Sequence, residues 1–148
     1  MADIDRRDFA DYFQTQNLQE HFPGIEALAI ASIIPPEQLA AHEAALRAQG
    51  FGSYAVHPRP NGGFATSITH IEPFSGRNLR AFGFDMYSEP VRRAAMQAAR
   101  DSGAAAIAVR RTGSLYMSKP KARRLRPTKG SIWVIEVTTS PACLGWTA

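Results

Sequence analysis

Over residues 5–21 (DRRDFADYFQTQNLQEH), Phe9, Phe13 and Leu18 recur near helical spacing, and Tyr12 widens the stripe. That spacing predicts an amphipathic helix with its acids in the first turn, where the helix dipole favours them, closed by Pro23-Gly24. The apolar run Ile25 to Ile34 (IEALAIASII) reads as a second, Ala-rich helix that Pro35-Pro36 breaks. A third helix is expected from Pro36 to Gln49, with proline in its first turn, Leu39 and Leu46 on its buried face and Gly50 as its stop. The period then drops to two. Gly52 to His57 and Phe64 to Ile71 alternate around Asn61-Gly62-Gly63, the pattern of a hairpin with a long connection. Phe74 to Arg80 reads as a loop or short turn, and Ala81 to Met86 as a third strand. Ser88-Glu89-Pro90 then opens a helix with Ser88 as its cap, running to Ser102 before Gly103. Its Ala94, Ala95, Ala98 and Ala99 form a small-residue face suited to close packing on a sheet. Ala105 to Val109 is a fourth strand. Helices and strands without βαβ alternation predict an α+β fold, an antiparallel sheet flanked by helices.

The chain has 148 residues, 45% of them apolar and 20% charged, which suits one globular domain and excludes a disordered tail, a collagen-like repeat and a pure coiled coil. Its one cysteine, Cys143, forms no internal bridge, and His21, His42, His57 and His70 lack metal-ligand spacing. No cofactor, metal or catalytic group is expected. No apolar stretch approaches the ~20 residues of a transmembrane helix, and the acidic start does not resemble a signal peptide. Taken alone, the chain reads as soluble. The net charge of +4 conceals a sharp division. Residues 1–109 hold nine arginines, no lysine and twelve acids, whereas residues 110–148 hold eight cations, all between Arg110 and Lys129, and one acid, Glu136.

The block from Glu72 to Gly103, EPFSGRNLRAFGFDMYSEPVRRAAMQAARDSG, closely resembles the core of the CHASE domain family. The upstream Phe22-Pro23-Gly24-Ile25-Glu26-Ala27-Leu28, His42-Glu43 and Gln49-Gly50-Phe51 fit the same pattern, so the resemblance covers about residues 6–107. It implies a ligand-sensing module outside the membrane, extracellular or periplasmic, in receptor histidine kinases and nucleotide or diguanylate cyclases. The implied fold is PAS-like, carried on an N-terminal stalk-like helix that offers a homodimer contact. The implied ligand is a small molecule, an adenine-derived cytokinin in plant members.

In the family an aspartate hydrogen-bonds the purine edge, and the matching residue is Asp85. A backbone group near Ile107 is implied to complete the contact. Gly83 would let a planar ligand approach the backbone, and Phe84 would supply an apolar wall. On an alternating strand Phe82, Phe84 and Met86 would share one face and Gly83 and Asp85 the other. The competing reading makes Asp85 a structural acid, paired with Arg92, Arg93 or the nearby helix N-terminus. Arg77 and Arg80 suit a solvated loop face better than an anionic ligand, Asn78 suits a loop organiser, and Arg92, Arg93 and Arg100 suit the exposed side of their helix.

After about Ala106 the family text stops, at the same place as the change in composition. The expected organisation is a partial CHASE-like sensory domain over 1–109, a basic loop or tail over 110–130, and an edge strand (Ser131 to Thr138) with a C-terminal tail over 131–148. One explanation is a shifted reading frame near residue 107, since ATA-GCG-GTA-AGG encodes Ile-Ala-Val-Arg and, two bases later, the Ser-Gly-Lys of the family. The nucleotide sequence tests it directly, and other codons there refute it. On this reading the family's second lobe is missing, together with its flanking membrane and output segments. The alternative function is nucleic-acid binding through Arg110 to Lys129, with Tyr116 and Trp133 available for stacking.

Overall fold

The computed structural model describes residues 4–22, 25–109, 114–119 and 131–138. A five-stranded sheet in the order β2-β1-β5-β4-β3 is built from β1 (Ile25–Ile34), β2 (Ala65–Glu72), β3 (Ala106–Val109), β4 (Ser114–Lys119) and β5 (Ser131–Thr138). Every neighbouring pair is antiparallel. The main helices are α1 (Arg6–Gln16), a single turn α2 (Leu18–His21), α3 (Leu39–Ala48) and α4 (Pro90–Ser102). The α+β class therefore holds.

The largest departure from the sequence reading is at Ile25–Ile34, which is a strand and not a helix. Its alternate residues serve two different cores. Ala27, Ala29 and Ala31 face Met96 and Ala95 of α4, whereas Leu28 and Ile30 face Phe9 and Phe13 of α1. A strand covered on both sides has no polar face, so its sequence is a continuous apolar run that periodicity alone cannot tell from a buried helix. With β1 beside it, β2 has no need of Gly52 to His57 as a hairpin partner. That segment is not a strand, and its only bridge is a parallel one from His57 to Phe84.

Ala81 to Met86 is likewise not a strand. Phe84 N–H closes a turn on the Ala81 carbonyl at 2.9 Å, and Gly83 sits at φ +86°, so alternation fails: Asp85 and Met86 are both buried. Ser131–Thr138 pairs with β1 on one side and β4 on the other, so it lies inside the sheet and is not the expected edge strand. The expected basic loop over 110–130 contains β4.

The helix predictions fare better. Asp5 caps α1 by accepting from Arg7 N–H at 2.7 Å. In α4, Pro90 sits at the start and Gly103 ends the helix at φ +67°, but the cap is Glu89, whose carboxylate accepts from Val91 and Arg92 N–H. Ser88 is drawn back instead, donating its hydroxyl to the Asp85 carbonyl at 2.6 Å. Ala95, Met96 and Ala99 form the buried face of α4; Ala94 and Ala98 point outward. The sheet thus separates two layers, with α1 on one side and α4 with Ala81, Phe84, Met86 and Tyr87 on the other.

Candidate functional site

Residues 82–86 lie along the outer edge of β2. Gly83 N–H donates to the Ile68 carbonyl at 2.8 Å and Ile68 N–H to the Phe84 carbonyl at 3.0 Å, while Asp85 N–H donates to the His57 carbonyl at 2.7 Å. This short ladder turns the Asp85 side chain inward, where it is 4% exposed. Oδ1 accepts from Thr66 N–H at 2.8 Å, from the Thr66 hydroxyl at 3.1 Å and from Tyr87 N–H at 3.1 Å. Tyr87 N–H is also 2.8 Å from Thr66 Oγ1. Among the described residues Oδ2 accepts no hydrogen bond. The partners of Asp85 are therefore the edge of β2 and the N-terminus of the 3-10 turn Met86–Ser88, which it caps through Tyr87 N–H as the competing structural reading allows; Arg92 and Arg93 are not among them.

Gly83 is required by the protein itself. A Cβ there would stand 2.5 Å from the Ala55 carbonyl oxygen, so the space over this residue is filled by the 53–57 segment. The His57 ring reinforces that contact, with Nδ1 3.1 Å from the Ala55 carbonyl and Nε2 3.2 Å from that of Arg80. Behind it, buried Glu43 of α3 accepts from Val56 N–H at 3.0 Å and pairs with Arg47 and Arg59. Burial alone would raise the Glu43 carboxyl. The Val56 N–H and the two guanidinium groups, Arg59 foremost, outweigh it and hold the group below its ordinary value. Tyr54 donates to or accepts from Ser67 at 2.7 Å, and its burial pushes the phenol up to about 12.

Phe84 differs from Gly83 and Asp85 in opening onto a cleft. A concavity of about 470 Å³ lies between the 53–57 segment and Leu79, but the one beside Phe84, of about 430 Å³, collects the more distinctive chemistry. Its lining includes Ile68 of β2, Arg77, Asn78 and Arg80 of the 3-10 turn Gly76–Arg80, and Arg92 of α4. Arg92 is not on the exposed side of its helix. Its guanidinium carbon lies 4.8 Å from the centroid of the Phe84 ring, and Nη1 is 3.5 Å from Met86 Sδ. Asn78 does organise the loop, donating to the Pro73 carbonyl at 2.9 Å.

Ile107 is not brought to this group through its side chain. Ala106 and Ala108 pack toward α4, while Ile107 between them is 55% exposed on the opposite face of β3. The structure thus gathers Gly83, Phe84 and Asp85, adds Arg92 and Ile68, and turns the Ile107 side chain away; the backbone contact expected near Ile107 would come from β3, at the opposite edge of the sheet from β2. Sequence reading missed Arg92 because its partner, Phe84, lies eight residues away across a turn. Most of the basic run from Arg110 to Lys129, the alternative nucleic-acid segment, lies outside the described residues.

A third cleft, of about 460 Å³, lies on the α1 side between Asp5, Arg6, His42 and His70. There His70 Nε2 donates to the Ile4 carbonyl at 2.9 Å, and its ring meets Phe9 edge-on at 5.6 Å. Among the described residues no cluster of His, Cys, Asp and Glu is arranged to hold a metal ion. Nor is any described helix long and apolar enough to cross a membrane.

The family model for the CHASE domain matches residues 2–119, most of the chain. The match continues past Ile107, where the family text was expected to end, and takes in β3 and β4. CHASE domains are extracellular or periplasmic sensor domains of signalling proteins. No curated protein matches the chain.

Proposed function

The chain belongs to the CHASE domain family, and we propose that it is the small-molecule-sensing module of a membrane-anchored receptor, binding its ligand and catalysing nothing. None of the three clefts described is lined by Asp85, so the ligand opens its own space on the α4 side of the sheet, with Asp85 accepting from an N–H edge such as that of an adenine-like heterocycle. One observation carries this reading. Asp85 is buried with Oδ1 committed to three donors while Oδ2 accepts none among the described residues. An acceptor position left open on a largely buried carboxylate is one that a ligand N–H can fill.

The strand order β2-β1-β5-β4-β3, with helices on both faces, supports a PAS-like sheet. A signal has a short route through it. Thr66 of β2 holds Asp85, and four residues on His70 of the same strand holds Ile4 at the start of α1. A ligand that binds one setting of β2 better than another shifts the population of α1 positions. In an intact receptor that movement would reach a kinase or cyclase output domain. A homodimer through α1 would use its outward side, since Phe9 and Phe13 are packed on the sheet.

The test is a thermal-shift screen with adenine, N6-substituted adenines and other planar heterocycles on the parent chain and Asp85→Asn. Asparagine keeps an oxygen for Thr66 and Tyr87 and can present an NH2 group in place of Oδ2. At least one compound should raise the melting temperature of the parent chain and lose that effect in Asp85→Asn. An equal rise in both proteins removes Asp85 from the site, and no rise with any compound refutes the ligand class.

A further inference from the structure

The cleft beside Phe84 has a chemistry that the Asp85 reading does not use. We propose that it is a separate recognition site for a small organic anion, a carboxylate carried on an aromatic or branched apolar body. Three arginines reach it from two elements, and no acid is among its lining residues. Their convergence follows from local geometry. Gly76–Arg80 is a 3-10 turn, in which residues three apart eclipse, so Arg77 and Arg80 rise on the same side. Arg92 arrives from the first turns of α4, laid over the Phe84 ring.

The cleft is also built rather than incidental. The Arg80 carbonyl is held by His57, the turn is tied to Pro73 by Asn78, and the floor is Ile68 of the sheet. Arg77 already forms an ion pair with Glu26, which fixes it at the rim. Arg80 has no ion pair among the described residues and is exposed, so it is the group best placed to close on an incoming carboxylate. The planar guanidinium fork matches two carboxylate oxygens, and Phe84 and Ile68 supply the surface for the rest of the molecule. About 430 Å³ falls within the ordinary range of small-molecule sites.

The probe is benzoate, titrated into the isotopically labelled full chain and followed by amide chemical shifts, with benzamide as its neutral isostere and phenyl phosphate as a second anion. Benzoate should shift amides of residues 77–81, 84 and 92, more strongly than benzamide and more weakly at high salt. Arg80→Gln should weaken it by about tenfold or more, the loss of one charge-assisted contact, without lowering the melting temperature. Asp85→Asn should bind benzoate like the parent chain, which separates this proposal from the preceding one. Benzamide binding as well as benzoate, Arg80→Gln titrating like the parent, or shifts confined to Arg110 to Lys129 would each overturn it. Tighter binding of phenyl phosphate would keep the anion site and overturn the carboxylate assignment.

Discussion

Replacing Asp85 by alanine removes the acceptor for three donors at once, and the structure says which of them suffer. Thr66 is fully buried, so its N–H, 2.8 Å from Oδ1, would be left without a partner and out of reach of water. Such an orphan costs about 1–3 kcal/mol. The Thr66 hydroxyl loses its acceptor as well, for about 1 kcal/mol more. Tyr87 N–H loses little, because Thr66 Oγ1 remains 2.8 Å away. The total is about 2–4 kcal/mol, a large part of the 5–15 kcal/mol typical of a domain. Asp85→Asn keeps Oδ1 and gives up only charge assistance, about 1 kcal/mol. Urea unfolding followed by far-UV circular dichroism measures both as midpoint shifts at constant slope. If alanine costs less than about 0.5 kcal/mol, or asparagine costs as much as alanine, Asp85 does not hold residues 82–88 to β2 in the way described.

Gly83→Ala should destabilise by about 2 kcal/mol or more, because the Cβ meets the Ala55 carbonyl at 2.5 Å and φ is +86°; an unchanged thermal midpoint would show that the 53–57 segment yields freely. Phe9→Ala should cost about 3–5 kcal/mol, since Phe9 is 1% exposed against Leu28 and Ile30, and a loss confined to local fraying by hydrogen exchange would contradict its place in the core. Because Glu43 titrates below its ordinary value of 4.5 when folded, the stability it contributes is complete above that value and lost as pH falls toward the folded one. Unfolding midpoints from neutral to acid pH should therefore fall less steeply in Glu43→Gln than in the parent chain, and parallel curves would refute the assignment.

How much of this was visible beforehand depends on whether the cause was local. Helices α1 and α4 were legible because their signals sit inside them: Phe9 and Phe13 on one stripe, Pro90 at one end and Gly103 at the other. Strand β1 was not, because its apolar run reflects cover from α1 and α4, neither of which its own ten residues reveal. The same distinction holds at the site. Gly83-Phe84-Asp85 stood out as family-like text, but why Gly83 is glycine depends on the Ala55 carbonyl, which comes from a distant loop. Arg80 and Arg92 were assigned to solvent because each looks surface-bound on its own element. Only the packing of α4 against the 76–88 segment turns them toward a common cleft.

Calorimetry on a matched pair of compounds poses the sharpest question: an N6-substituted adenine that raises the melting temperature, and its analogue methylated to remove the N–H. The parent chain should bind the first at least about tenfold more tightly, the worth of a hydrogen bond to a charged acceptor, and Asp85→Asn should bind the two alike and weakly. Equal affinities in the parent chain, or a preference that survives in Asp85→Asn, would contradict recognition through Oδ2.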